Sequence, residues 1–127
     1  MTKTILITSG PTREYIDPVR FISNASSGKM GKAITETALK KGFNVIVVKG
    51  PSESKIKTSK KCRVINIVSA EEMFKAVKEN LKFADIFIGV AAVADYKPVS
   101  FSKVKIKKNQ NILNLKLKKN QDIIKYV

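Results

Sequence analysis

Three short stretches of this 127-residue chain hold residue types able to do chemistry. The first, Ser26-Ser27-Gly28-Lys29-Met30-Gly31, sets two hydroxyls and two glycines where an amphipathic periodicity begins. Bare backbone N–H groups at the positive end of a helix suit phosphate, although the same residues are the usual material of a helix cap. Spacing alone leaves both uses open. Neither standard phosphate fingerprint is met, because no GxGxxG follows the first apolar run and a P-loop would need glycine at Ser23 and a hydroxyl at Met30. In the second stretch, Ala91-Ala92-Val93-Ala94-Asp95-Tyr96-Lys97-Pro98, small side chains permit close backbone approach to a ligand, and Asp95 offers a carboxylate to a ribose hydroxyl or a metal. A tight turn ahead of Pro98 is the more ordinary use of these residues. The third, Lys105-Ile106-Lys107-Lys108, puts Lys105 and Lys107 on one face of an extended segment, able to grip a triphosphate or to keep a sheet edge soluble.

Several chemistries are excluded. The chain has no histidine, and Cys62 is its single cysteine, so Ser/His/Asp and Cys/His catalysis, zinc binding and an intramolecular disulfide are all out of reach. The charge is the compositional outlier: 25 basic against 10 acidic residues give +15, and arginine occurs only at 13, 20 and 63. Such a field favours polyanions such as nucleic acid or nucleoside phosphates. A lysine-rich genome composition explains it equally well.

The elements that must position these residues follow from hydrophobic pattern. Thr4 to Thr8 is a β-branched run stopped by Ser9-Gly10-Pro11, as in a buried parallel strand. Residues 11–27 carry no regular pattern. Gly28 to Lys41 predicts a helix with Met30, Ala33, Ile34, Thr37 and Ala38 on its apolar face, ended at Gly42. Asn44 to Val48 and Val64 to Val68 are further strands separated by a polar loop. Ser69 and Glu72 form a capping box that opens a helix with Met73, Phe74, Val77 and Leu81 inward, followed by a strand over 85–90. These elements predict one α/β domain, a Rossmann-like open, mostly parallel sheet covered by helices, with ligands beyond the carboxyl ends of the strands. A β-hairpin arm is expected over 103–118, from Val104–Lys108 and the alternating Ile112–Leu117, then a terminal helix from Gln121 with an acidic residue in its first turn.

Taken together, the residues resemble a known family. Ile5 to Gly31, ILITSGPTREYIDPVRFISNASSGKMG, is similar to the opening of phosphopantothenoylcysteine synthetases, the ligase domain fused in many bacteria behind a flavin-dependent decarboxylase. AAVADYKP at 91–98, KIKK at 105–108 and KNQDII at 119–124 agree in order, the last with Gln121 in place of the family's proline. The resemblance implies amide formation between phosphopantothenate and cysteine on the way to coenzyme A, with CTP as co-substrate in bacterial members, through an acyl-cytidylate, and ATP in eukaryotic ones. It implies that Lys105 neutralises the phosphates and that Asn24 serves conversion of the acyl-nucleotide, a step to which Arg20 and Ala92 also contribute. Gly10, Ser26, Ser27, Gly28, Met30, Ala91 and Lys107 would lie at the nucleotide and its phosphates. Asp95 and Asp122 would lie near the nucleotide and its Mg²⁺. FMN is not implied, since nothing resembles the decarboxylase half.

The family's ligase domain extends beyond this motif set, which leaves a fragment or a second polypeptide completing the site as alternatives. The one-sided apolar arm predicts a homodimer. No apolar run reaches membrane-spanning length and the start lacks a signal peptide's features, so a cytoplasmic protein without a membrane partner is expected. A basic nucleic-acid-binding protein remains the competing class. It is disfavoured by scattered aromatic residues and by the absence of a continuously basic helix.

Overall fold

The computed structural model describes residues 2–127. A four-stranded parallel sheet, β1 (Thr4–Ser9), β4 (Asn44–Lys49), β5 (Cys62–Asn66) and β6 (Ile86–Gly89), runs in the order β5-β4-β1-β6. Counting only these strands, the spatial order is 3-2-1-4, the first four positions of a doubly wound sheet. Side chains alternate across it because the strand period is two. Leu6, Ile46 and Val48 face α2 (Ala70–Asn80) and the short α3 (Ile123–Tyr126), packing with Met73, Val77 and Ile123. Ile5, Ile7, Val45 and Val47 face α1 (Lys29–Lys40), packing with Ala38 and Cys62. Helices thus cover both faces, as the continuous apolar strands demand.

β5 lies two residues earlier than its apolar pattern predicts, at Cys62–Asn66, because its ladder with β4 starts at Val45 opposite Cys62. The capping box is present: Ser69 Oγ accepts from Glu72 N at 3.2 Å, and Glu72 Oε1 accepts from Ser69 N at 3.1 Å. The apolar face of α1 is turned relative to expectation. Gly31, Thr35 and Ala38 are buried, whereas Met30 is 66% exposed. The cause is a close approach, since a Cβ on Gly31 would collide with Ser9 Oγ at the end of β1.

Two further differences are informative. Residues 11–27 contain a small antiparallel pair, β2 (Arg13–Tyr15) with β3 (Phe21–Ser23). Three-residue strands are too short to show a period. The expected two-stranded arm exists, but its strands are β7 (Tyr96–Pro98) and β8 (Leu117–Lys119), antiparallel. Val104–Lys108 is not a strand, and the segment from Val99 to Lys116 is the long connection between the pair. A hairpin with nothing beside it is marginal in water, and the pair that forms instead has β7 packed against β2.

β6 is an anomaly of placement. Its Ile86-Phe87-Ile88 run reads as an interior strand, yet among the described residues it pairs with β1 alone and Ile86 is 38% exposed.

Candidate functional site

Two clefts lie at the carboxyl end of the sheet. They are separated by a zipper of the two loops that leave β1 and β6. Ala92 N donates to Gly10 O at 2.9 Å, Thr12 N to Ala92 O at 3.3 Å, and Ala94 N to Thr12 Oγ1 at 3.0 Å. Gly10 makes the turn possible with φ of 76°, and its α-carbon passes so near Gly50 that an added Cβ would sit 3.1 Å from the Gly50 carbonyl oxygen.

One cleft, of about 760 Å³, is lined by Pro11, Arg13, Phe21, Ser23, Asn24, Ala25, Ser26 and Ser27 together with Pro51, Ser52 and Glu53. It opens onto the start of α1. Gly28 takes the N-cap position with φ of 75° and has no side chain to cap with, and Lys29 N donates to Ser27 Oγ of the preceding residue at a long 3.4 Å. One long bond from Ser27 thus takes up the first N–H of this helix, whereas α2 and α3 are closed by the side chains of their own N-cap residues, Ser69 and Asp122. Ser52 Oγ, buried against Gly28, has no hydrogen-bond partner.

The other cleft, of about 630 Å³, is lined by Ala91, Val93, Ala94, Asp95 and Tyr96 on one side and by Lys119 to Lys125 on the other. Asn120 joins the two walls: its N donates to Asp95 O and its Nδ2 to Ala94 O, both at 2.8 Å. Behind it the buried Glu14 accepts from Ala70 N at 3.0 Å, closing the start of α2, and from Asn120 Nδ2 at 3.5 Å. Asp95 and Asp122 thus share a cleft. Asp122 Oδ1 is already engaged as the cap of α3, accepting from Lys125 N at 3.0 Å. No group of three or more metal-ligating side chains occurs among the described residues. Mg²⁺ commonly takes one or two carboxylates and completes its shell with other oxygen ligands, so Asp95 and Asp122 are the residues of this cleft whose side chains could hold one.

Asn24 stands between the clefts. It lines the first, and its Nδ2 reaches the carbonyls of Ala92 at 3.4 Å and Val93 at 3.2 Å in the wall of the second. Met30 points outward from α1 and lines neither cleft; nor do Lys105 and Lys107, which are exposed on the long connection. Arg20 lies elsewhere too, its guanidinium paired with Asp17 at 2.7 Å and its Nη1 donating to Ile106 O at 3.3 Å.

Asp17 is fully buried and escaped the reading of the sequence, as did Arg13, stacked 4.5 Å over the Phe21 ring, and Lys49. Lys49 lies at the end of β4 beside the first cleft, with Nζ donating to Gly50 O at 3.3 Å, and burial lowers its pKa. Burial alone would push the Asp17 carboxyl up. Hydrogen bonds from Ile106 N, Val19 N and Arg20 outweigh it and hold the group well below the usual carboxylate range. A carboxylate with a depressed folded-state pKa stabilises the fold above its ordinary unfolded value of about 4, and the contribution is lost as pH falls from there toward the folded value. Thermal unfolding followed from pH 6 to pH 2.5 should therefore show a steeper loss of Tm for the native chain than for Asp17→Asn, which has no such proton to gain.

A four-stranded parallel sheet with helices on both faces and two clefts at its carboxyl end defines an α/β domain whose strand order follows the doubly wound pattern. The chain belongs to the family described as the DNA/pantothenate metabolism flavoprotein C-terminal domain, whose match runs over residues 1–127. It is 50% identical over 123 residues to the coenzyme A biosynthesis bifunctional protein CoaBC of Haemophilus influenzae, covering 97% of this chain and 30% of that protein. Among solved structures, the C-terminal domain of a CoaBC protein matches with a TM-score of 0.81 and 41% identity over 98% of this chain and 57% of its own. The DNA/pantothenate metabolism flavoprotein of Streptococcus pneumoniae matches with a TM-score of 0.86 and 30% identity, covering 97% and 62%. The chain thus spans about three-tenths of the curated relative and about three-fifths of each solved chain.

Proposed function

We propose that this domain carries the phosphopantothenate–cysteine ligase chemistry of coenzyme A biosynthesis, activating a carboxylate as an acyl-nucleotide that the cysteine amine then attacks. The observation that carries the reading is the start of α1, where N-cap Gly28 has no capping side chain and Ser27 holds a single N–H by a long bond, opening onto the cleft that holds Asn24, Ser26 and Ser27 and linked through Asn24 to the cleft of Asp95 and Asp122. A carboxylate resists amine attack at neutral pH. Conversion to a mixed anhydride concentrates negative charge at a phosphate, which free N–H groups and cations stabilise.

In this reading CTP is the co-substrate, with ATP as the alternative, and Mg²⁺ sits between the nucleotide and the carboxylates of Asp95 and Asp122. Lys105 supplies positive charge to the phosphates, with Lys107 beside it. Ser26, Ser27, Gly28 and Met30 present backbone N–H groups, and Gly10 and Ala91 give the backbone room. Asn24, helped by Arg20 and Ala92, handles the acyl-nucleotide. The reaction is assigned to the cytoplasm; no helix among the described residues is long and apolar enough to cross a membrane.

Titration calorimetry with CTP, ATP and a short oligonucleotide, each with Mg²⁺, tests the reading. Saturable binding of a nucleoside triphosphate at up to millimolar concentration supports it. Oligonucleotide binding alone would transfer the case to the nucleic-acid class. We further propose a homodimer through the arm over 103–118, where Ile112, Leu113 and Leu115 of the long connection and Leu117 at the start of β8 are exposed. Like charge opposes it, so sedimentation should show the dimer tightening with salt, and a 14 kDa monomer at all salt concentrations would exclude it.

A further inference from the structure

The segment from Val99 to Lys116 carries Lys105 and Lys107 and has almost no secondary structure, yet it is fastened to the body at a few definite points. Ser102 N donates to Ile16 O at 3.0 Å. Four residues on, Ile106 is held by both of its backbone groups: its N–H donates to Asp17 Oδ2 at 3.0 Å, and its carbonyl accepts from Arg20 Nη1 at 3.3 Å. Asp17 holds the Arg20 guanidinium through the same Oδ2 at 2.7 Å, while its Oδ1 accepts from Val19 N at 2.9 Å and Arg20 N at 2.7 Å. The carboxylate is fully buried, so both of its oxygens work where water does not compete.

We propose that Asp17 is a positioning residue for Lys105. With Arg20 it grips the peptide groups on both sides of Ile106, and so fixes where the lysine-bearing segment stands relative to the clefts. The inference rests on the ligase reading for the role of Lys105, but the grip itself is a property of the chain. A side chain alone could be swapped without moving the backbone. A clasp on the adjoining peptide sets the direction in which Lys105 and Lys107 leave the body. Arg20 accordingly acts in part through the segment it holds.

Two variants separate this from a general loss of fold. Asp17→Asn turns one of the two acceptor positions into a donor facing donors, and Ile106→Pro deletes the gripped N–H while leaving the bonds of Asp17 to Val19 and Arg20 in place. In the native chain, amide exchange at Ile106 and tryptic cleavage after Lys103 and Lys107 should be slow. Each variant should accelerate cleavage about tenfold or more, as should Asp17→Asn for exchange at Ile106, in line with loss of a hydrogen bond to a charged group. Cleavage in the 52–61 loop should not change. Asp85→Asn, which removes a surface carboxylate bonded to Thr4 N, should leave the segment as it is. Unchanged cleavage in both folded variants overturns the grip, whatever the protein catalyses. In a ligase completed with the remaining part of the domain, Asp17→Asn should raise the KM for the nucleotide more than that for cysteine. Equal KM values despite a released segment would overturn the positioning role and leave the ligase reading intact.

Discussion

Asn24→Asp, placed in a completed ligase, should stop product formation at the second half-reaction, with the acyl-nucleotide still made and accumulating. The side-chain amide of Asn24 donates at 3.2 Å and 3.4 Å to two carbonyls of the loop after β6. A carboxylate there meets those oxygens with like charge and can no longer donate to the carbonyl oxygen of a bound acyl group. Removing one preorganised donor to a developing oxyanion costs on the order of 100- to 1,000-fold in kcat. Single-turnover analysis would read both halves, with nucleotide consumption near normal and amide formation reduced by that factor. Amide formation at the normal rate would show that Asn24 is only a strut between two loops.

Ser27→Asp should separate the two uses of the α1 start that the sequence leaves open. Ser27 is exposed, lines the Asn24 cleft and accepts from Lys29 N at a long 3.4 Å. An aspartate there supplies the chain with its own anion beside the free N–H groups. As a structural cap it should raise stability by about 0.5–1 kcal/mol through those bonds and the helix dipole. As an occupant of a phosphate position it should weaken nucleoside triphosphate binding at least tenfold by like-charge repulsion. Higher Tm with lower affinity is the expected pair. A stabilised variant that binds nucleotide as well as the native chain would remove phosphate from this helix end.

The parts of the fold that were legible in sequence are those fixed by local rules. Thr4–Thr8 and Asn44–Val48 announce buried parallel strands because both faces are covered, and Ser69 with Glu72 announces a helix start because the two residues satisfy each other. What escaped depends on partners far along the chain. Ile112–Leu117 reads as one strand of a local hairpin, but the strand formed is Leu117–Lys119 and its partner is Tyr96–Pro98, and nothing in the alternation of Leu113, Leu115 and Leu117 says so. Asp17 and Glu14 look like the polar residues of an irregular loop. Their burial is set by the N–H groups of Ile106 and Ala70, which lie 89 and 56 positions away. Lys49 differs only in that its strand end is covered by the Gly50 to Ser52 turn. Periodicity reports which face is wet; it does not report which charge has been enclosed. The site shows the same division. Asn24, Ser26, Ser27, Asp95 and Asp122 gather at two joined clefts, while Met30, Lys105 and Lys107 stand outside them because α1 is turned by the contact of Gly31 with Ser9 and the lysines ride on a long connection.

The unpaired side of β6 gives the net charge a colloidal role. A strand whose second edge is unpaired among the described residues, with no lysine or proline to blunt it, is a template for edge-to-edge pairing between copies. At +15, two molecules approaching through that edge repel over about 30 Å in 0.01 M salt, but over only about 10 Å in 0.1 M. Long-range repulsion therefore acts as the gatekeeper that the strand itself lacks. Raising ionic strength should accordingly lower the concentration at which this domain, taken alone, stays in clear solution.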